Sequence, residues 1–204
     1  SSLYQEKLID MQALYLGRPD KGLKSAAEDD MVAMASHATF NLNPRAPSID
    51  TCQHGYVPHA HVDHVHSDAV IAIAASKDAE RLTREIFGDE IGFLPWQRPG
   101  IDLGIKLGKL ASANPKLVGV VLGAHGLFTW GATAKSCYET TLRIINKAAS
   151  WLDKNVKRPV FGGAKVEALP AAERKQVALR LLPDIRGRIS KDEMKAGHFT
   201  DAPE

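Results

Sequence analysis

The segment PHAHVDHVHSD, residues 58–68, carries His59, His61, His64 and His66, half of the chain's 8 histidines. Neutral imidazole is the commonest side-chain metal ligand. Side chains at i and i+2 of an extended segment share a face. His64 and His66 can therefore aim two ring nitrogens at one point. His59 and His61 form a second such pair, but with opposite parity, so along an unbroken strand they face away. One ion is not expected to take all four. His59, His61 and His54 are read as surroundings of the site. A catalytic zinc keeps three protein ligands and one open position. The third ligand is expected from His125, in AHG at the end of the apolar run VGVVLGA, where Gly126 lets the backbone turn sharply. Strand ends are also where α/β folds place functional groups. Three imidazoles suit Zn²⁺ best, with Mn, Fe, Co and Ni left open. Asp63 and Asp68 are candidate acceptors for a ligand's second ring N–H, with a turn or helix cap as the alternative role. His37 and His198 receive no functional reading.

These residues must be held by ordered elements. LYQEKLIDMQALYLG has helical apolar spacing, with Gly17 as its stop. SAAEDDMVAMASHATF predicts a second helix, with acidic residues in its first turn. NLNPRAPSID is punctuated as a loop. HVDHVH alternates as a short strand. SDAVIAIAASKD starts a helix, with Ser67 or Asp68 as N-cap. KDAERLTREIFGDE is a charged amphipathic helix ending near Gly88. IGFLPW is a short strand, and IDLGIKLGKLASANP is a helix whose internal glycines point to close packing. VGVVLGA is a buried strand leading into a hairpin-like piece. TAKSCYETTLRIINKAASWLDKNV is a long helix with Thr133 as N-cap, and one more helix follows before the polar tail KDEMKAGHFTDAPE. Strands alternate with helices, so the fold class is α/β or α+β. One domain is expected over 1–189, with 190–204 as a tail or linker.

The totals narrow the choice of function. The 204 residues are enough for a substantial core, and 44% hydrophobic with 25% charged residues is ordinary for a globular chain. A net charge of +2 gives no reason to expect nucleic acid or a membrane as partner. No apolar run reaches the roughly 18 residues of a membrane span. Cys52 and Cys137 lie far apart, outside any CxxC spacing, which predicts reduced thiols in a cytoplasmic protein.

With SIDT, HVDHVHSDAVIAIA and GVVLGAHGLFTWG in that order, the chain resembles the class II aldolase/adducin family. FNLNPRAPSIDT, EIFGDEIGFLPWQRPG and CYETT bring the resemblance closest to the aldolase part of bifunctional rhamnulose-1-phosphate aldolase/short-chain alcohol dehydrogenases. The resemblance implies a central, mostly antiparallel sheet flanked by helices in three α/β/α layers. It implies zinc held by His64, His66 and His125. It places Asp50 of SIDT where relatives carry an acid/base carboxylate, usually glutamate; the alternative role for Asp50 is a helix N-cap. The implied reaction is retro-aldol cleavage of rhamnulose 1-phosphate to dihydroxyacetone phosphate and lactaldehyde. There Zn²⁺ acts as a Lewis acid and a carboxylate moves protons. Other reactions on the same scaffold are epimerisation or dehydration of sugar phosphates, and adducin-type members bind without catalysis. Arg45 and Arg98 are candidates for the substrate phosphate, and Trp96 and Trp130 for the pocket wall. The resemblance also implies a homo-oligomer, commonly a tetramer. Relatives begin with a Gly-rich phosphate loop and bifunctional ones continue into a dinucleotide-binding domain. Neither motif is found, so the chain is read as a partial domain lacking its N-terminal part.

Overall fold

The computed structural model describes residues 5–18, 25–39, 47–157 and 166–200. Its compact units are 1–157 and 158–204. In chain order the first unit holds α1 (Gln5–Gly17), α2 (Ser25–Ala35), α3 (Thr51–Tyr56), β1 (His61–Val65), α4 (Asp68–Ala74), α5 (Ala79–Phe87), β2 (Ile91–Leu94), α6 (Ile101–Ala113), β3 (Gly119–Leu122), β4 (Gly126–Gly131) and α7 (Ala134–Asn155). The second unit holds α8 (Ala171–Ile189) and the exposed polar segment after it. The sequence-based boundary was drawn at the end of this helix, after 189.

The four strands form one sheet in the order β1-β4-β3-β2. The pairs β1/β4 and β3/β4 are antiparallel and β2/β3 is parallel, so the sheet is mostly antiparallel, as expected. Strand alternation gives the sheet two faces. Val62, Val120, Leu122, Phe128 and Trp130 pack with Val57 beside α3 and with Leu103, Leu107 and Ala111 of α6. Val121, Leu127 and Ile91 pack on the other face with Val70 and Ile73 of α4, Ile86 and Phe87 of α5, and Ile144 and Ala148 of α7. This is the three-layer α/β/α arrangement. The helices α1 and α2 build a further cluster with Cys52, Ile101 and Ile105. Burying a side chain the size of Leu107 or Ile144 contributes about 1.5–3 kcal/mol, and both are fully buried.

Local chemistry accounts for the element ends. In α7, Cys137, Thr141, Ile144 and Ala148 make a buried stripe at helical spacing. Thr133 and Ser136 form a reciprocal capping box, Ser136 N–H donating to Thr133 Oγ1 at 3.1 Å and Thr133 N–H to Ser136 Oγ at 3.0 Å. The second predicted helix is shorter than its apolar pattern: α2 stops at Ala35 and tightens into a 3₁₀ turn, Ser36–Ala38. The glycines of α6 bring α3 close. A Cβ on Gly108 would lie 2.5 Å from the Tyr56 carbonyl oxygen, and one on Gly104 would lie 2.9 Å from the Cys52 carbonyl carbon. Tyr56 also donates its hydroxyl to the Leu8 carbonyl at 2.8 Å, tying α3 to α1. The helix α3, which begins beside Asp50, is thereby pinned against α6. Among the described residues no helix is long and apolar enough to cross a membrane. Cys52 and Cys137 are buried free thiols, each pushed up to about 11 by burial.

Candidate metal centre

The strand β1 ends at Val65, and His66 continues its alternation. His64 shares its face with Val62, while Asp63 faces the opposite layer and accepts the Thr141 hydroxyl at 2.9 Å. Across the sheet, β3 ends at Leu122 and β4 begins at Gly126, so His125 sits in the tight turn between them. Three backbone bonds fix that turn: Gly123 N–H to Leu94 O at 2.8 Å, Ala124 N–H to Ala74 O at 2.8 Å and His125 N–H to Leu122 O at 3.1 Å. Ala124 adopts φ +51°, a left-handed conformation unusual for a residue with a Cβ. The glycine after His125 makes room for the other two histidines. A Cβ on Gly126 would lie 2.7 Å from His66 Cδ2, 2.8 Å from the Val65 carbonyl oxygen and 3.3 Å from His64 Cε1.

One ring nitrogen from each of His64, His66 and His125 lies within 4.8 Å of the others. His64 Nε2 and His66 Nε2 are 3.0 Å apart. His64 donates its Nδ1–H to the Leu127 carbonyl at 3.0 Å, which makes Nε2 the nitrogen that carries the lone pair. His125 Nδ1 is buried with no hydrogen-bond partner among the described residues. Burial holds His64 down at about 4, against the raising effects of the Leu127 hydrogen bond and Asp50. Burial also lowers His125, with His66 adding to the effect. Both rings are thus neutral near pH 7, the form that binds metals. An unpartnered buried nitrogen, a carbonyl-fixed tautomer and three converging imidazoles fit a metal ion, and the three histidines are a set able to hold one.

Asp50 immediately precedes α3, at its N-cap position, yet its carboxylate makes no cap hydrogen bond. The Ser48 hydroxyl lies 3.4 Å from its Oδ2 and the Gln53 side-chain amide 3.4 Å from its Oδ1. The Asp50 charge acts on His54, His64 and His125 alike, in each case favouring the imidazolium. Buried Gln53 braces the turn, its amide nitrogen 3.1 Å from the Ile49 and Asp50 carbonyl oxygens. The structure therefore brings Asp50 into electrostatic range of the histidines, at the end of the helix clamped by Gly104 and Gly108.

The other expected residues are placed differently. Arg98 lies 2.6 Å from Asp29 and 3.6 Å from buried Glu28, so two carboxylates of α2 engage its guanidinium. Arg45 lies outside the described residues. Trp130 is buried and donates its indole N–H to the Leu117 carbonyl at 2.8 Å, while Trp96 is 67% exposed. His59 stacks on Trp130, with centroids 5.3 Å apart, and His61 is exposed. Sequence reasoning assigned no role to Phe128, whose ring lies under His64. Its position directly opposite His64 depends on the β1/β4 register, which sequence spacing does not state.

Residues 16–152 match the family model described as the class II aldolase and adducin N-terminal domain. The chain belongs to that family, whose aldolase members make lyase or related enzyme chemistry the expectation. A curated relative, the uncharacterized oxidoreductase YuxG of Bacillus subtilis (strain 168), is 34% identical over 175 residues, covering 85% of this chain and 25% of that protein. The chain thus spans about a quarter of that relative's length. The solved N-terminal class II aldolase domain of a conserved protein from Thermoplasma acidophilum is similar in fold, with a TM-score of 0.62 and 23% identity over 74% of this chain and 65% of that one.

Proposed function

We propose that the chain is the metal-binding part of a zinc-dependent aldolase that cleaves a ketose 1-phosphate, rhamnulose 1-phosphate, to dihydroxyacetone phosphate and lactaldehyde. The observation that carries this reading is the convergence of His64, His66 and His125, with the His125 Nδ1 left unpartnered. Zn²⁺ bound there supplies a Lewis acid for the negative charge left when the carbon–carbon bond breaks. The residues of the chain supply the rest. The Leu127 carbonyl fixes the His64 tautomer, and the turn at 123–125 presents His125. Asp50, free of any cap bond, takes and returns the proton of the substrate hydroxyl or of the carbon that loses its partner. The filled histidine set favours this reading over a non-catalytic adducin-like domain. The name oxidoreductase is that of a relative of which the match covers 25%, and any dehydrogenase activity is assigned to the portion of such a protein outside the matched residues. The protein is further proposed to work in the cytoplasm as a homotetramer.

The test is a coupled assay for dihydroxyacetone phosphate with zinc-loaded protein and rhamnulose 1-phosphate. Asp50→Asn is expected to lower turnover by roughly 10²–10⁴-fold while its metal content stays at the parent level. Metal-loaded protein that releases no dihydroxyacetone phosphate from rhamnulose 1-phosphate contradicts the lyase reading.

A further inference from the structure

Phe128 is fully buried and lies directly opposite His64 in the β1/β4 register. The two rings are stacked face to face, with centroids 4.1 Å apart and planes 7° from parallel. His54 of α3 packs edge-on against the same phenyl ring, at 5.3 Å and 63°. It also approaches the His64 ring, at 6.4 Å and 70°. The hydrogen bond from His64 Nδ1–H to the Leu127 carbonyl fixes one nitrogen, but a ring held at one atom can still tilt about it. A flat surface pressed on the ring face removes that tilt.

Resting on the metal-site reading above, we infer that Phe128, braced by His54, is a positioning residue that fixes the ring plane of His64 and so aims its Nε2 at the shared metal position. Four consecutive residues then serve the site. His125 offers a ring nitrogen and Gly126 makes room for His64 and His66. Leu127 supplies the acceptor that sets the tautomer, and Phe128 supplies the seat. An aliphatic side chain at 128 would keep the core apolar yet offer no flat face. Affinity would then fall without loss of any ligand, because a support of this kind acts on a ligand's orientation.

The test compares the intact protein with Phe128→Leu, and with His54→Phe, which keeps an aromatic edge. Nuclear magnetic resonance of the metal-free proteins reads His64 directly. In the parent, its ring protons are shifted upfield by the stacked phenyl, its nitrogens report a single Nδ1–H tautomer and its nuclear Overhauser contacts fit one ring orientation. In Phe128→Leu the tautomer set by Leu127 is kept but the single ring orientation is lost, while circular dichroism and the Val121 and Leu127 methyl signals stay native. Zinc affinity by chelator competition falls at least about tenfold in Phe128→Leu and stays within about twofold of the parent in His54→Phe. Phe128→Met replaces Phe128→Leu if the latter does not fold, since methionine fills irregular core space. A folded variant at 128 with parental zinc affinity, or with the His64 ring still held in one orientation, overturns the inference. A parent that holds His64 in one ring orientation yet binds no zinc, and loses that orientation in the variant, leaves the positioning role standing and removes the metal reading.

Discussion

Gly126 shows how much of the candidate site depends on a side chain that is missing. Its added Cβ would meet His66 at 2.7 Å and the Val65 carbonyl oxygen at 2.8 Å, and the second of these is backbone that cannot rotate away. Gly126→Ala is therefore expected to push β1 and β4 apart where His64 and His66 sit. Zinc affinity should drop by roughly 10–100-fold, the range seen when a ligand's support is disturbed. Chelator competition measures this, and parental affinity in Gly126→Ala would refute the packing argument. The three histidines and this glycine were legible in the sequence for a local reason. A two-residue period and a His-Gly at the end of an apolar run are patterns confined to a few adjacent positions. Phe128 was not legible as a support, and His54 only as part of the surroundings, because their contacts arise only when β1 pairs with β4 and α3 packs behind them. Arg98 was read as a phosphate candidate from its loop, and its pairing with Glu28 and Asp29 depends on α2 packing nearly seventy residues away in sequence.

At the scale of elements, the sheet face that bears His64 is covered by α3 and α6, and the opposite face by α4, α5 and α7. The apolar periods of α5, α6 and α7 and the Thr133 cap marked these helices correctly in the sequence, because each signal lies within one or two turns. The end of α2 was less legible, since the small-residue run through Ala38 continues past the point where the helix tightens. One ion-pair cluster secures α7 to the turn that precedes β2. Glu90 accepts from Arg143 at 2.8 Å and Lys147 at 3.2 Å. Hydrogen bonds and charge from these two residues, which outweigh burial, hold the Glu90 carboxyl below its ordinary value. A lowered carboxyl pKa contributes stability above the unfolded value near 4.5 and loses it as pH falls through the folded value. Glu90→Gln should therefore cost up to about 1 kcal/mol near pH 7, as a partly exposed pair does. The deficit should shrink toward zero at a pH below the lowered folded value. Denaturant melts at both pH values check this, and a deficit that grows on acidification would contradict the assignment.

At the scale of the whole molecule, the matched family residues, 16–152, fall within the first compact unit, which carries every one of the converging histidines. The mostly antiparallel sheet and its helix layers were expected from the family resemblance more than from the residues alone. Alternating strands and helices left α/β and α+β both open, and strand order is a long-range property. The proposed tetramer is checked by light scattering coupled to size exclusion. Four copies of the 22.2 kDa chain are expected, and a monomer peak at micromolar concentration would contradict the assembly.

The central claim is that His64, His66 and His125 hold one metal ion, and elemental analysis tests it most directly. Protein purified, incubated with zinc and desalted should retain about one ion per chain, and the His64→Ala, His66→Ala double variant below about a tenth of an ion. Less than about a tenth of an ion in the parent, or equal zinc in parent and double variant, would contradict the account.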